Sequence, residues 1–281
     1  MTLQNNKSLG QHWLKDRSIL NEIAELSIPE ADEDTLDSDL PLCLEIGPGL
    51  GALTSSLLKI YPKVLAVEFD QKLAENLPKS FPGKNLEVVN ADFMNCDLSE
   101  LPKDYVVAAN IPYYITSPII TKLLTEENRP AKIVLLIQKE VAERIAAGAA
   151  QVQNLTSQNI SEVVQEEHDV YPGKQTQLSL FVQNRAKVVL GPVVEKEYFT
   201  PPPKVDSQVI ILEPHEPIIA EEVMELARHG FSSPRKKLMK NLAGLTNKDL
   251  KLVFAECQIS LDARPGDLSL TDWNELFEKI K

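Results

Sequence analysis

Basic residues are scarce in this chain. Lys and Arg number 29 against 41 Asp and Glu, which leaves a formal net charge of −12. A uniformly basic nucleic-acid binder is excluded by that balance, because attraction to phosphate needs clustered cations. Cysteine is scarcer still: Cys43, Cys96 and Cys257 are odd in number, widely spaced and form no C-x-x-C pair. A disulfide framework and a zinc site both fall, and buried thiols in a reducing compartment are expected. The histidines His12, His168, His215 and His229 make no H-E-x-x-H spacing, so no metal is expected. Long apolar runs are missing too. Ile133–Ile137 is strand-sized, far too short to span a bilayer, and Met1–Gly10 is polar with no apolar signal core. The expectation is a soluble, cytoplasmic protein with no membrane partner.

What remains is enough to build a core. At 43% hydrophobic and 25% charged residues, disorder and fibrous repeats are excluded, and 281 residues allow a large domain with a small companion. From Leu42 to Gln138, short apolar runs (Leu42–Ile46, Val64–Val67, Leu86–Val89, Tyr105–Ala109, Ile133–Ile137) alternate with helix-like stretches (Ala52–Lys59, Gln71–Pro78, Pro118–Thr125, Glu140–Ala146). The runs are apolar on both faces, as parallel strands covered by helices on both sides require. An open α/β sheet is predicted. Leu178–Val189 and Gln208–Leu212 are expected to close it as an antiparallel pair, with Gly191–Pro192 and Pro201–Pro203 making an irregular connection.

Beyond Pro217 the period is helical. Ile219, Val223 and Leu226 share a face, as do Trp273, Leu276, Phe277 and Ile280. Ser233-Pro234 predicts a capped helix running through Leu242 and ended by Gly244. The expected organisation is one domain over residues 1–213 and a small helical domain over 214–281. Glu30–Asp39, with six acids and no base, and the polar Ala149–Gln177 look like solvated insertions that hold much of the negative charge.

Glu45-Ile46-Gly47-Pro48-Gly49-Leu50-Gly51 sits between a strand and a helix, where a ligand can meet backbone N–H groups. Its G-x-G-x-G spacing differs from the G-x-G-x-x-G of dinucleotide sites. Glu45 suits a cationic ligand better than a pyrophosphate. Glu68 follows the second strand, where a carboxylate can accept two ribose hydroxyls, and Asp92 follows the third, where it can take an adenine amino group. A tight turn flanked by solvated strand ends is the alternative. The four features together resemble the S-adenosylmethionine site of Rossmann-like methyltransferases.

Asn110-Ile111-Pro112-Tyr113 follows the fourth strand. An adenine exocyclic amine is a poor nucleophile because its lone pair is delocalised into the ring. The Asn110 side-chain oxygen and a nearby main-chain carbonyl can accept its two N–H bonds and localise the pair. Pro112 holds that carbonyl, and Tyr113 offers a face for an extruded base, worth ~1–3 kcal/mol. A plain strand-end turn is the bland reading of Asn and Pro here.

The chain resembles the KsgA type of ribosomal RNA adenine dimethyltransferase over nearly its whole length from Gly10. The resemblance is carried by Gly10-Gln11-His12-Trp13-Leu14, Glu45–Thr54, Asn110–Thr116, Gln138–Arg144 and Phe199-Thr200-Pro201-Pro202-Pro203-Lys204-Val205-Asp206-Ser207. Phe231, Arg235–Lys237, Arg264 and Asp267–Ser269 extend it into the helical part. It implies an α/β, Rossmann-like S-adenosylmethionine-dependent sheet carrying catalysis, followed by a helical RNA-binding domain. It also implies cofactor contacts at His12, Leu14, Gly47, Gly49, Glu68, Asp92 and Asn110, with Tyr113 and Phe199 enclosing the target base beside Pro112. Two departures stand out: His12-Trp13 replaces the family's Asn-Phe, and Thr176-Gln177-Leu178-Ser179 replaces Gly-Arg-Leu-Ser, removing one base.

The cations that exist are concentrated. Residues 228–251 hold seven (Arg228, Arg235, Lys236, Lys237, Lys240, Lys248, Lys251) against Asp249 alone. A basic RNA-binding face through Arg235, Lys236, Lys237 and Lys240 is expected, with a solvated amphipathic helix as the alternative. The resemblance implies N6-dimethylation of two adjacent adenosines near the 3′ end of small-subunit RNA, on an immature subunit. Its rivals are a large-subunit methyltransferase of the macrolide-resistance type and a non-catalytic assembly factor. Gly47–Thr54 and the Pro-Pro-Pro-Lys run favour the small-subunit type, and the intact Asn110–Tyr113 favours an enzyme.

Overall fold

A computed structural model describes residues 12–29, 40–149 and 170–281. The acidic segment 30–39 and the greater part of the 149–177 segment lie outside the described residues, as do Gly10, Gln11 and His168. The described elements are β1 (Trp13–Leu14), α1 (Arg17–Leu26), β2 (Cys43–Ile46), α2 (Ala52–Ile60), β3 (Val64–Glu68), α3 (Gln71–Ser80) and β4 (Leu86–Asn90). They continue with β5 (Val106–Asn110), α4 (Thr116–Thr125), β6 (Lys132–Gln138), α5 (Lys139–Ala146), α6 (Gln177–Gln183), β7 (Ala186–Val194), β8 (Phe199–Thr200) and β9 (Ser207–Pro214). Four helices end the chain: α7 (Glu221–Gly230), α8 (Leu238–Asn241), α9 (Leu250–Glu256) and α10 (Leu270–Ile280).

Seven strands form one sheet in the order β4-β3-β2-β5-β6-β9-β7, and β1 and β8 form a separate antiparallel pair. The pairs β2/β3, β3/β4, β2/β5 and β5/β6 are parallel, while β9 runs antiparallel to β6 with Gln138 opposite Ser207. Every residue of β2 is buried, and so are the first four of β5, as expected of strands covered on both faces. β4 departs from that expectation. It is an edge strand, and Val89 is 38% exposed. The strand order reverses at β2, so the crevice for a ligand opens beyond the carboxyl ends of β2, β3 and β5.

Two helices of this part start on aspartate caps. Asp16 accepts from Ser18 and Ile19 N–H at the head of α1, and Asp70 accepts from Lys72 and Leu73 N–H at the head of α3. Such a cap satisfies donors that the helix leaves free and is worth about 1 kcal/mol. Leu20, Ile23 and Ala24 of α1 and Leu53, Leu57 and Leu58 of α2 pack with Val106, Val134, Val189 and Val209 into one core.

The chain divides into two compact units. The first holds the described residues 12–29, 40–142 and 189–214; the second holds 143–149, 170–188 and 215–281. Residues 143–149 and 170–188, which the sequence places in the first domain, thus cluster with the helices. The reason lies in the Leu178–Val189 run, which is not one strand. Thr176 caps it with a reciprocal box to Ser179, so α6 forms first and β7 begins only at Ala186. Leu180 of α6 is buried among Val223, Leu226, Phe254, Trp273 and Leu276 in the second core. Gly191 and Pro192 lie within β7, which tolerates proline because it is an edge strand.

Two further expectations change. Ser233-Pro234 does not start a helix: residues 231–237 are turns, Lys236 N–H donates to Ser233 O, and helix begins at Leu238, whose N–H donates to Ala263 O at 2.7 Å. Gln175, expected in a solvated loop, is buried, with its N–H on Gly266 O and its side-chain oxygen accepting from Ser179. Cys43 and Cys257 are buried, whereas Cys96 is partly exposed. Among the described residues, no helix is long and apolar enough to cross a membrane, and no group of three His, Cys, Asp or Glu gathers to hold a metal.

Candidate active site

The first unit carries a cavity of about 670 Å³ at the carboxyl ends of β2, β3 and β5. Its floor is the loop from β2 to α2. Gly51 caps α2 at φ +81°, a left-handed conformation, and a Cβ there would lie 2.6 Å from Leu77 and 2.8 Å from Phe81. Gly49, at φ +57°, turns its N–H onto Glu68 Oε2 at 3.0 Å. The other carboxylate oxygen of Glu68 accepts Asp70 N–H at 2.8 Å. One acidic side chain thus ties the glycine loop to the end of β3. Burial raises the Glu68 pKa above its ordinary value, partly offset by these N–H donors.

Glu45, the last acid before the loop, is 1% exposed and accepts from Thr54 Oγ1 at 2.6 Å. Burial pushes its pKa up to about 8, so at neutral pH it is mostly protonated. The carboxyl that the sequence reads as suiting a cationic ligand is thus one that ionises most readily beside a cation. Asp92 lies exposed at the head of the 3₁₀ turn Phe93–Asn95 and accepts from Met94 N–H. Both line the cavity, together with Gly47, Glu68, His12 and Leu14.

Asn110 ends β5, and its Nδ2 donates to the His12 carbonyl at 3.4 Å, which leaves the side-chain oxygen as an acceptor. Pro112 follows at φ −58°, and its carbonyl accepts Ile115 N–H. Tyr113 shares a hydrogen bond with Ser207 Oγ at 2.8 Å, and its ring stacks on His12 with centroids 5.9 Å apart. Burial raises the phenol pKa, so the ring is neutral. His12 Nδ1 donates to Pro201 O at 2.8 Å. His12, Asn110, Pro112 and Tyr113 are thus brought together.

Phe199 is not. It is 3% exposed in the core, paired with Leu14 across β1 and β8, and does not line the cavity. The ring facing Tyr113 is His12 instead. Sequence reasoning also missed Ser207 as the anchor of Tyr113 and Thr54 as the donor to Glu45. Both sat inside quoted motifs, and the parallel strand-to-helix turn was the signal for Thr54.

In the second unit, Arg235, Lys236, Lys237 and Lys240 are all exposed. Lys237 is ion-paired with Asp262, and Arg228 with Glu221. Arg235, Lys236 and Lys240 have no acidic partner among the described residues.

The model of the family described as "Ribosomal RNA adenine dimethylase" matches residues 2–281. The chain is 36% identical over 276 residues to "Ribosomal RNA small subunit methyltransferase A" of Mycoplasmopsis synoviae (strain 53), covering 96% of this chain and 95% of that protein. Its fold is similar to that of a dimethyladenosine transferase from Plasmodium falciparum, with a TM-score of 0.68 and 27% identity over 95% of this chain and 96% of that one. The 23S rRNA methyltransferase ErmE shares the fold at a TM-score of 0.71 and 23% identity, covering 95% of this chain and 99% of that one.

Proposed function

The chain belongs to the ribosomal RNA adenine dimethylase family, and from that premise we propose that it uses S-adenosylmethionine to dimethylate N6 of two adjacent adenosines near the 3′ end of small-subunit RNA. Its substrate is an immature small subunit in the cytoplasm. The observation that carries the reading is the placement of Asn110 and Tyr113 on the same cavity as the glycine loop and Glu68. A strand-end carboxylate and left-handed glycines fit an adenosine cofactor, and the Glu45 carboxyl, which a neighbouring cation would ionise, suits a cationic ligand better than a pyrophosphate.

When bound, the cofactor supplies a methyl group on a sulfonium. The chain's own residues do the rest. Glu68 accepts ribose hydroxyls with the lone pairs that its two N–H partners leave, Asp92 accepts from the cofactor adenine, and Gly47, Gly49, His12 and Leu14 shape the walls. Asn110 oxygen and the Ile111 carbonyl, held rigid ahead of Pro112, accept the two N–H bonds of the target amine. That aligns its lone pair without a strong base, an effect present mainly in the transition state. Tyr113 stacks the base on the ring face that His12 does not cover. Arg235, Lys236 and Lys240 of the helical unit contact phosphate. Transfer of labelled methyl from S-adenosylmethionine to small rather than large subunits tests the reading, and labelling confined to large subunits would overturn it.

A further inference from the structure

The cavity wall made by α1 and α2 has a chemistry unlike that of the strand ends. Arg17 and Asn21 are one turn apart on α1, and Ser55 and Lys59 are one turn apart on α2, so each pair shares a helix face. All four line the cavity, with Lys15 and Ser56 beside them. Asn21 joins the two helices, its Oδ1 accepting from Ser56 Oγ at 2.8 Å and from Lys59 Nζ at 3.4 Å. Lys15, Arg17 and Lys59 are exposed, and none is ion-paired among the described residues.

The acids nearby are not on the wall: Asp16 stays charged but turns its carboxylate to the N–H groups at the head of α1, and Asp16, Glu22 and Glu25 do not line the cavity. The cavity is therefore two-sided: the carboxyl groups of Glu45, Glu68 and Asp92 lie on the strand side, and three cations with no acidic partner among the described residues lie on the helix side. The helix side also runs away from the cofactor loop. Lys59 lies eight positions past Gly51, about 12 Å along a helix at 1.5 Å per residue. Its Nζ is held toward α1 by Asn21 Oδ1.

We propose that Lys15, Arg17 and Lys59 form a phosphate-binding wall that holds the RNA backbone next to the target adenosine. This rests on the rRNA methyltransferase reading. A base drawn into the Asn110–Tyr113 pocket brings the phosphates on either side of its sugar with it, and an unstacked strand must be held by its backbone. A cofactor carboxylate would need one cation close to the glycine loop; three cations spread along two helices suit successive phosphates. The wall lies wholly within the first unit, so the phosphates it holds belong to the target nucleotide and its neighbours.

The test neutralises Arg17→Gln and Lys59→Gln together, with Lys15→Gln added separately; Gln keeps the stem and a donor for Asn21. Filter binding to a single-stranded RNA and to immature small subunits across a salt series is paired with calorimetry for S-adenosylmethionine. The expected result is an unchanged cofactor Kd and a single-stranded salt slope shallower by roughly 0.7 for each phosphate no longer neutralised, about 1.4 for the pair. A weakened cofactor with an unchanged slope would assign the wall to the cofactor carboxylate and overturn the proposal. Unchanged binding of both would make it a solvated face and overturn it equally. If the wild type methylates no small subunit, the functional reading fails, while the single-stranded arm still decides the wall.

Discussion

Glu68 Oε2 accepts the Gly49 N–H at 3.0 Å, so the end of β3 holds the loop that follows β2. Replacing Glu68 by Ala removes both the ribose acceptor and this tie. Hydrogen bonds to a charged group predict a loss on the order of 1.5–3 kcal/mol in S-adenosylmethionine affinity, roughly ten- to hundredfold in Kd. Calorimetry on the folded variant checks this, and an unaltered Kd would remove Glu68 from the cofactor site.

Glu45 gives a prediction with a definite sign. Its folded pKa is about 8 against an ordinary value of 4.5. Between those values the folded chain keeps a proton that the unfolded chain has released, so stability falls as pH rises from 4.5 to 8 and then levels off. The full effect is on the order of a few kcal/mol. Glu45→Gln keeps the acceptor for Thr54 Oγ1 and cannot ionise. It should be more stable than wild type at pH 9 and close to it at pH 5, by urea denaturation at both. A wild-type-like stability loss between the two pH values in the variant would place the titration elsewhere.

Much of this was legible in the sequence, and the exceptions have physical causes. The parallel strands were readable because burial on both faces leaves unbroken apolar runs, as in Ile133–Ile137. The glycine loop, Glu68, Asp92 and Asn110 fell at strand ends and were placed by counting strands. Apolar content does not distinguish a strand from a buried helix, however, and the Leu178–Val189 run hid α6; the Thr176–Ser179 box was the local clue. Ser233-Pro234 carries a capping pattern, but Leu238 N–H finds a tertiary acceptor in Ala263, and that partner is invisible in sequence. Phe199 looked like a stacking residue through resemblance, while pairing with Leu14 puts it in the core.

Tyr113 separates two contributions. Tyr113→Phe loses only the hydrogen bond to Ser207, about 0.5–1.5 kcal/mol of stability, and keeps the ring. It should retain most methyl transfer. Tyr113→Ala should lose ~1–3 kcal/mol of base stacking and show a raised KM for RNA with the cofactor Kd intact. An equal KM for RNA in the Ala and Phe variants would exclude stacking.

The basic run of the helical unit predicts an unequal series. Lys237 is engaged with Asp262, whereas Arg235, Lys236 and Lys240 are free of acids among the described residues. Charge reversal of Arg235 and Lys236 should cripple particle binding and flatten its salt dependence, while Lys237→Ala alone should do less. Filter binding over a salt series reads both, and a wild-type slope in the double reversal would make the run a solvated surface.

The most direct measurement is mass spectrometry of small-subunit RNA after incubation of immature particles with S-adenosylmethionine and either the wild type or Asn110→Ala. Dimethyladenosine at two adjacent positions near the 3′ end with the wild type, and none with the folded, RNA-binding variant, is the predicted result. Methylation at other positions, or near-normal dimethylation by Asn110→Ala at saturating cofactor, would contradict the account.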